Sequence, residues 1–154
     1  MTWLVDLMWI SAVIFLQYLV INVLPVPFAN VDLFLVMSGI YALKRSPVRA
    51  MIFTFCGALL MELVYPVAAV TGFKTMAALV LVFVLSQLNI RLVLQGVGAC
   101  LMVGLYVVAT GFLTRLLALL VDVVPPAVPA SHYLVLFLGS VLLTCLLIEK
   151  FDVQ

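Results

Sequence analysis

The sequence predicts an all-α protein that crosses a membrane about six times. Its composition is 68% hydrophobic and only 8% charged, and its mean hydropathy is +1.44. The apolar stretches are continuous rather than alternating, as from Leu79 to Leu85, and this pattern favours spanning helices over membrane β-strands. A helix needs about 20 residues to cross about 30 Å of hydrocarbon. Six crossings would therefore use most of the 154 residues, as one integral membrane domain over residues 1–154.

Polar and proline-containing breaks separate the six predicted helices. The break at residues 25–30 contains two prolines and cannot continue a helix. Asn30 is the expected cap of the second helix. Asp32 is favourably placed in its first turn, where a negative charge lies near the positive end of the helix dipole. Ser46 and Pro47 have the residue types of a cap and a first helical residue. The predicted helices cover residues 7–24, 31–43, 48–65, 75–90, 92–112 and 132–148.

Two of these elements are unusual in length. The second helix has about 13 residues and would span about 20 Å, so it must pack against its neighbours or be extended by snorkelling of Lys44 and Arg45. The segment 113–124, after the fifth helix, places Arg115 and Asp122 among leucines and valines. We expect either an interfacial helix or a tilted extension of the fifth helix there.

The basic residues predict the orientation. Six crossings place five of the seven basic residues on one side, and cytoplasmic loops of membrane proteins carry the excess of Lys and Arg. We therefore expect both termini in the cytoplasm. The N-terminus lacks the basic region and cleavage site of a signal peptide, so the first helix should remain as an anchor. The larger group is Lys44, Arg45, Arg49, Arg91 and Lys150, and the smaller is Lys74 and Arg115.

Several function classes are disfavoured by the residues present. A net charge of +1 excludes a strongly basic patch of the kind that binds nucleic acid or anionic lipid headgroups. The three cysteines, Cys56, Cys100 and Cys145, lie inside apolar runs, where we expect neither a disulfide nor a metal site. No nucleophile–base pair, phosphate loop or metal-ligand spacing is present, so the sequence predicts neither an enzyme nor a cofactor.

Three predicted helices bring charged residues to the same depth, on the side of the membrane opposite the two termini. Glu62 is the most informative, because a carboxylate near the bilayer centre costs on the order of 3 kcal/mol to insert. Asp32 opens the second helix, Lys74 opens the fourth, and Glu62 lies with Tyr65 near the end of the third. These residues either surround a polar cavity that binds a ligand or a proton, or form a structural lock between helices. The structural interpretation is favoured for each residue alone.

Small residues form two ridges at four-residue spacing, which allow helices to approach closely. One ridge is Gly96, Cys100 and Gly104 in the fifth helix, and the other is Ser38 and Ala42 in the second. Either ridge is a candidate contact for a partner's transmembrane helix or an internal packing surface.

The amide side chains of the membrane segments are expected to form hydrogen bonds between helices. They are Gln17 and Asn22 in the first helix, and Gln87, Asn89 and Gln95 around the fourth-to-fifth connection.

Two stretches resemble the rod shape-determining protein MreD family. The first runs from Val31 and Asp32 through apolar residues to the basic turn Lys44-Arg45, and is similar to the start of that family, where Pro-Asp precedes a short apolar span. The second, Gly57 to Leu63 continuing to Lys74, is similar to the family's small-residue and acidic signature and following turn. Val31 stands where proline is usual, Glu62 where aspartate is usual, and Val70-Thr71 where Pro-Leu is usual.

The resemblance implies a non-enzymatic scaffold of the bacterial elongation machinery in the cytoplasmic membrane. The expected partner is an MreC-like bitopic protein, within a wider complex containing MreB, RodA and a class B penicillin-binding protein that organises cell-wall synthesis and rod shape. The family is also thought similar in fold to the substrate-binding components of energy-coupling-factor transporters. The alternative is therefore a small-molecule-binding transporter subunit that uses the polar cluster opposite the termini.

Overall fold

The computed structural model describes residues 2–23, 31–64, 71–121, 123 and 128–148, and all regular structure in these residues is α-helical. The predicted all-α class is therefore confirmed. The helices are α1 Thr2–Val23, α2 Leu33–Lys44, α3 Pro47–Val64, α4 Phe73–Leu92, α5 Gly96–Leu120 and α6 Ala130–Ile148.

All of these helices except α2 are long and apolar enough to cross a membrane, as expected of a multi-pass membrane protein. α2 has only 12 residues, or about 18 Å of helix. It is short because Asp32 caps its first turn, with the carboxylate accepting the Leu35 N–H at 3.0 Å, and because the chain turns at Lys44 and Arg45 before Pro47 begins α3. Pro47 is the first helical residue, as predicted.

α2 is the centre of the bundle and contacts every other helix. All of its residues from Phe34 to Leu43 are buried. The expectation that this short helix packs against its neighbours is therefore confirmed. Its burial also explains how a 12-residue helix is accommodated, since little of it has to match the thickness of the lipid.

The five long helices are arranged around α2. Neighbours in this arrangement pack in the order α1, α3, α4, α5 and α6, so α1 and α6 occupy its two edges. α1 buries one narrow face, formed by Asp6, Ile10, Val13 and Gln17, and its remaining faces are largely exposed and apolar. Such faces are lipid-facing in a membrane protein.

The helices alternate in direction, which gives the bundle two chemically different ends. The basic end, where α1 begins and α6 finishes, carries Lys44, Arg45, Arg49 and Arg91. The far end is where α2 and α4 begin, and it carries Asp32 and Lys74.

The observed helix bounds differ from the predicted ones by up to eight residues, and the differences in α1, α5 and α2 have a structural reason. α1 begins at Thr2 and includes Asp6, which becomes possible because that acid is paired inside the protein. α5 begins at Gly96 and continues to Leu120, so the extension of the fifth helix is correct for segment 113–120. The cap of α2 is Asp32; the predicted cap Asn30 lies outside the described residues.

Candidate functional site

Glu62 of α3 caps the start of the neighbouring helix α4. Its buried carboxylate lies in the last turn of α3. Oε1 accepts the Lys74 N–H at 2.7 Å, and Oε2 accepts the Gly72 N–H at 2.9 Å and the Thr75 hydroxyl at 2.6 Å. The first amides of a helix have no partner within the helix, and the positive end of its dipole attracts an anion. α3 and α4 are therefore joined by a carboxylate that satisfies these donors.

The turn before α4 has the backbone geometry that this cap requires. Gly72 has a φ of 106°, in the left-handed region that residues with a Cβ rarely adopt. This conformation aims the Gly72 N–H at Glu62. The Thr71-Gly72 turn is thus part of the site, although the residues predicted for it were Asp32, Glu62, Tyr65 and Lys74.

Asp32 and Lys74 complete the far-end cluster, which we define as Asp32, Glu62, Lys74 and Thr75. The Lys74 ammonium forms an ion pair with Asp32 Oδ2, while Asp32 Oδ1 accepts the Leu35 N–H. The Lys74 side chain is 15% exposed and the Asp32 side chain is 14% exposed. Charged groups at membrane depth are usually paired in this way. The structure thus brings together the Asp, Glu and Lys selected from the sequence; Tyr65 lies outside the described residues.

Close packing supports this cluster from within the bundle. A Cβ at Gly57, one and a half turns before Glu62 on α3, would come within 2.1 Å of the Phe34 ring on α2. Phe34 also stacks on Phe53, with ring centroids 5.7 Å apart. The two sequence stretches that carry the family resemblance are therefore packed directly against each other.

The ridge of Ser38 and Ala42 does not offer a surface to a partner. Both residues are buried, at 0% and 2% exposure, and the Ser38 hydroxyl shares a 2.8 Å hydrogen bond with the Tyr106 hydroxyl of α5. The interpretation of this ridge as a partner contact is wrong, because small residues on a central helix are used to bring its own neighbours close.

The second ridge also packs mainly inside the protein. A Cβ at Gly104 would lie 2.5 Å from Val141 and 3.2 Å from Phe137, both on α6. Cys100 is buried, and Gly96 is exposed at the very start of α5. Of the Gly96, Cys100 and Gly104 face, α6 therefore occupies the Gly104 position, where internal packing is the observed arrangement.

A second polar cluster, which the sequence analysis did not predict, joins α1 to the bundle at the basic end. Asp6 is 5% exposed and accepts two hydrogen bonds from Arg49, each at 2.7 Å. The Tyr41 hydroxyl donates to the same carboxylate at 2.8 Å. A bidentate pair of this kind fixes orientation as well as distance. Its signal in the sequence was an acid at the start of one helix and an arginine at the start of another on the same side.

Two of the predicted amide partners link helices or their connections. Gln17 of α1 bridges the start of α2, donating to the Val31 carbonyl at 3.2 Å and accepting the Leu33 N–H at 2.7 Å. Asn89 of α4 donates to the Leu43 carbonyl of α2 at 2.8 Å. Asn22 instead donates to the Tyr18 carbonyl within α1, because its side chain lies on an exposed face of that helix.

The acids of the far-end cluster join α2, α3 and α4 through hydrogen bonds and an ion pair. Both Glu62 oxygens and both Asp32 oxygens accept hydrogen bonds from the protein. In the described ranges, no group of three or more His, Cys, Asp or Glu residues has the arrangement of a metal site.

Comparisons with protein-family models, with curated proteins and with solved structures found no match to this chain.

Proposed function

We propose that this protein is a non-enzymatic membrane scaffold whose polar residues hold its helices in place. The observation that carries this proposal is the internal use of both acids in the far-end cluster. Glu62 caps α4, and Asp32 both caps α2 and pairs with Lys74. A transporter subunit that bound its substrate here would have to break these contacts and leave buried donors without acceptors. The arrangement therefore supports a rigid structural unit.

The scaffold that we propose acts in the bacterial elongation machinery, as the MreD-like motifs suggest. The motif residues support this assignment because they form one structural unit: Asp32 pairs with Lys74, Glu62 caps the helix that Lys74 opens, and Gly57 packs on Phe34. The proposed partner is an MreC-like bitopic protein, with MreB, RodA and a class B penicillin-binding protein in the wider complex. Since both small-residue ridges are largely buried, the partner helix would contact lipid-facing side chains of the outer helices.

Affinity purification from the native membrane, followed by mass spectrometry, tests this function. We expect an MreC-like protein and cell-wall synthesis proteins to co-purify with the wild-type chain. The control is the same purification after the helix bundle has been unfolded with a denaturing detergent, which should release these partners. Recovery of an ATPase and a transmembrane coupling subunit instead would contradict the scaffold and establish the transporter alternative.

We further propose that the basic end faces the cytoplasm and that both termini are cytoplasmic. The side with more Lys and Arg is normally cytoplasmic, and four basic residues of the described chain lie at this end. Reporter fusions should give a cytoplasmic signal at each terminus, and a fusion in the connection between α5 and α6 should give the opposite signal. An extracytoplasmic signal at either terminus would contradict this orientation.

A further inference from the structure

The α4–α5 turn, which comprises residues 93–95 between the two helices, is surrounded by exposed apolar side chains. Four large apolar residues in and beside it are 61% to 70% exposed: Ile90, Leu92, Val93 and Val97. The α2–α3 connection lies at the same end of the bundle and instead exposes Lys44, Arg45 and Ser46. The two connections therefore suit different surroundings, because a cluster of large apolar side chains is unfavourable in water.

The backbone of the α4–α5 turn finds hydrogen-bond partners inside the protein. The Val93 N–H donates to the Asn89 carbonyl at 2.9 Å, and the Leu94 N–H donates to Asn89 Oδ1 at 3.1 Å. The Asn89 amide also binds the Leu43 carbonyl, which fixes the turn to the end of α2. A backbone amide in contact with lipid has no water to bind, so it must be satisfied within the protein in this way.

The conformation of Val93 is unusual for its residue type. Its φ is 46°, in the left-handed region that a β-branched residue rarely adopts. Such a conformation costs on the order of 1–3 kcal/mol, and glycine would largely avoid this cost. In water the exposed valine would bring no compensating gain, whereas in lipid an apolar side chain is favourable. The residue at this strained position thus fits a lipid environment.

The length of α4 places the turn at the edge of the hydrocarbon. α4 has 20 residues, or about 30 Å of helix, and the hydrocarbon core of a bilayer is about 30 Å thick. The first turn of α4 carries Lys74, which pairs with Asp32 at the far end. The opposite end of α4 therefore reaches only the other edge of the hydrocarbon, beside the upper part of the acyl chains.

The apolar surface of the turn continues the outer faces of both helices. Val84 on α4 and Leu101 on α5 are exposed in the same way, and such faces contact lipid in a membrane protein. The exposed polar side chains at this point are Arg91 and Gln95. A long polar side chain at the hydrocarbon edge can extend its polar group to the headgroups, so both are compatible with a turn that lies in the lipid.

We propose that the α4–α5 turn is immersed in the lipid leaflet at the basic end, where Leu92, Val93 and Val97 contact the upper acyl chains of phospholipids. The turn is then a membrane contact and is closed to a water-soluble partner, although it lies at the same end as the charged α2–α3 connection. This inference depends neither on the proposed scaffold function nor on which side of the membrane the basic end faces.

Photo-crosslinking of the full-length protein in liposomes of dioleoyl phosphatidylcholine tests the proposal. The photoreactive residue p-benzoylphenylalanine, placed at Leu92 or at Val93, should attach to an acyl chain on illumination. The mass of the intact protein should then rise by that of one phospholipid. The same residue at Leu101 on the outer face of α5 is the positive control. At Ser46, exposed in the α2–α3 connection, it is the matched control and should give little or no lipid adduct.

Each outcome decides the proposal, provided that the variants elute as folded protein in size-exclusion chromatography. Lipid adducts as scarce at Leu92 and Val93 as at Ser46 would show that the turn lies in water. Adducts as abundant at Ser46 as at Val93 would show that the two connections do not differ. Either result would overturn the proposal. In native membranes, a protein adduct at Leu92 and Val93 in place of the lipid adduct would show that a partner covers the turn, and would overturn it as well.

Discussion

Glu62→Leu is expected to destabilise the folded bundle while leaving its insertion into the membrane intact. The substitution removes the acceptor of the Gly72 and Lys74 N–H groups and of the Thr75 hydroxyl. A buried donor without an acceptor costs about 1–3 kcal/mol, and Thr75 is buried, with 3% of its surface exposed. Insertion should become easier, because leucine is favourable at membrane depth where a carboxylate is not.

The measurements are the abundance of the protein in the membrane fraction and its thermal unfolding in detergent, followed by tryptophan fluorescence. Glu62→Gln should fall between the wild type and the leucine variant, since its carbonyl oxygen keeps one acceptor. Leu63→Ala is the matched control in the same turn, because Leu63 is exposed and makes no cap. An unchanged unfolding midpoint in Glu62→Leu would contradict the role of Glu62 as a helix lock.

Gly104→Leu should disrupt the packing of α5 on α6 and reduce the yield of folded protein. The first added carbon alone would lie 2.5 Å from Val141, and the rest of the leucine would meet the Phe137 ring beside it. Overfilling a packed interface costs about 1–3 kcal/mol or more. Membrane helices are especially sensitive, because close packing supplies much of their association energy. Size-exclusion chromatography and thermal unfolding should both detect the loss.

Gly98→Leu on the same helix provides the control. A Cβ at Gly98 meets nothing within 4 Å, so this variant should elute and unfold like the wild type. If Gly104→Leu behaves like Gly98→Leu and yet loses a co-purifying partner, the ridge faces a partner and the internal packing described above is wrong.

The helical architecture could be anticipated because its causes are local. Long apolar runs and proline-containing breaks predict the six helices, although the observed bounds differ by five residues at the start of α1 and by eight at the end of α5. The brevity of α2 correctly indicated burial. The sequence predicts the start of α1 only at residue 7, because the charged Asp6 lies just ahead of the apolar run. Only its pairing with Arg49 and Tyr41 makes this acid compatible with the helix.

The far-end cluster was also accessible from the sequence, since alternating helices place Asp32, Glu62 and Lys74 at one level. The hydrogen-bond partners of each side chain in this cluster could not be predicted from the sequence. Glu62 accepts hydrogen bonds from backbone amides and from the Thr75 hydroxyl rather than from the Lys74 ammonium. The geometry of the Thr71-Gly72 turn decides which of these donors face the carboxylate.

The inward and outward faces of the helices were decided by the three-dimensional packing alone. In a water-soluble protein the polar face of a helix marks its outside, but here both the lipid and the core favour apolar side chains. From the sequence, Ser38 and Gly104 are therefore equally compatible with a partner contact and with internal packing, and only the folded chain shows them packed against Tyr106 and Val141. Composition and breaks thus suffice for the number and kind of helices, whereas their mutual contacts require the folded chain, because the membrane removes the contrast between inside and outside.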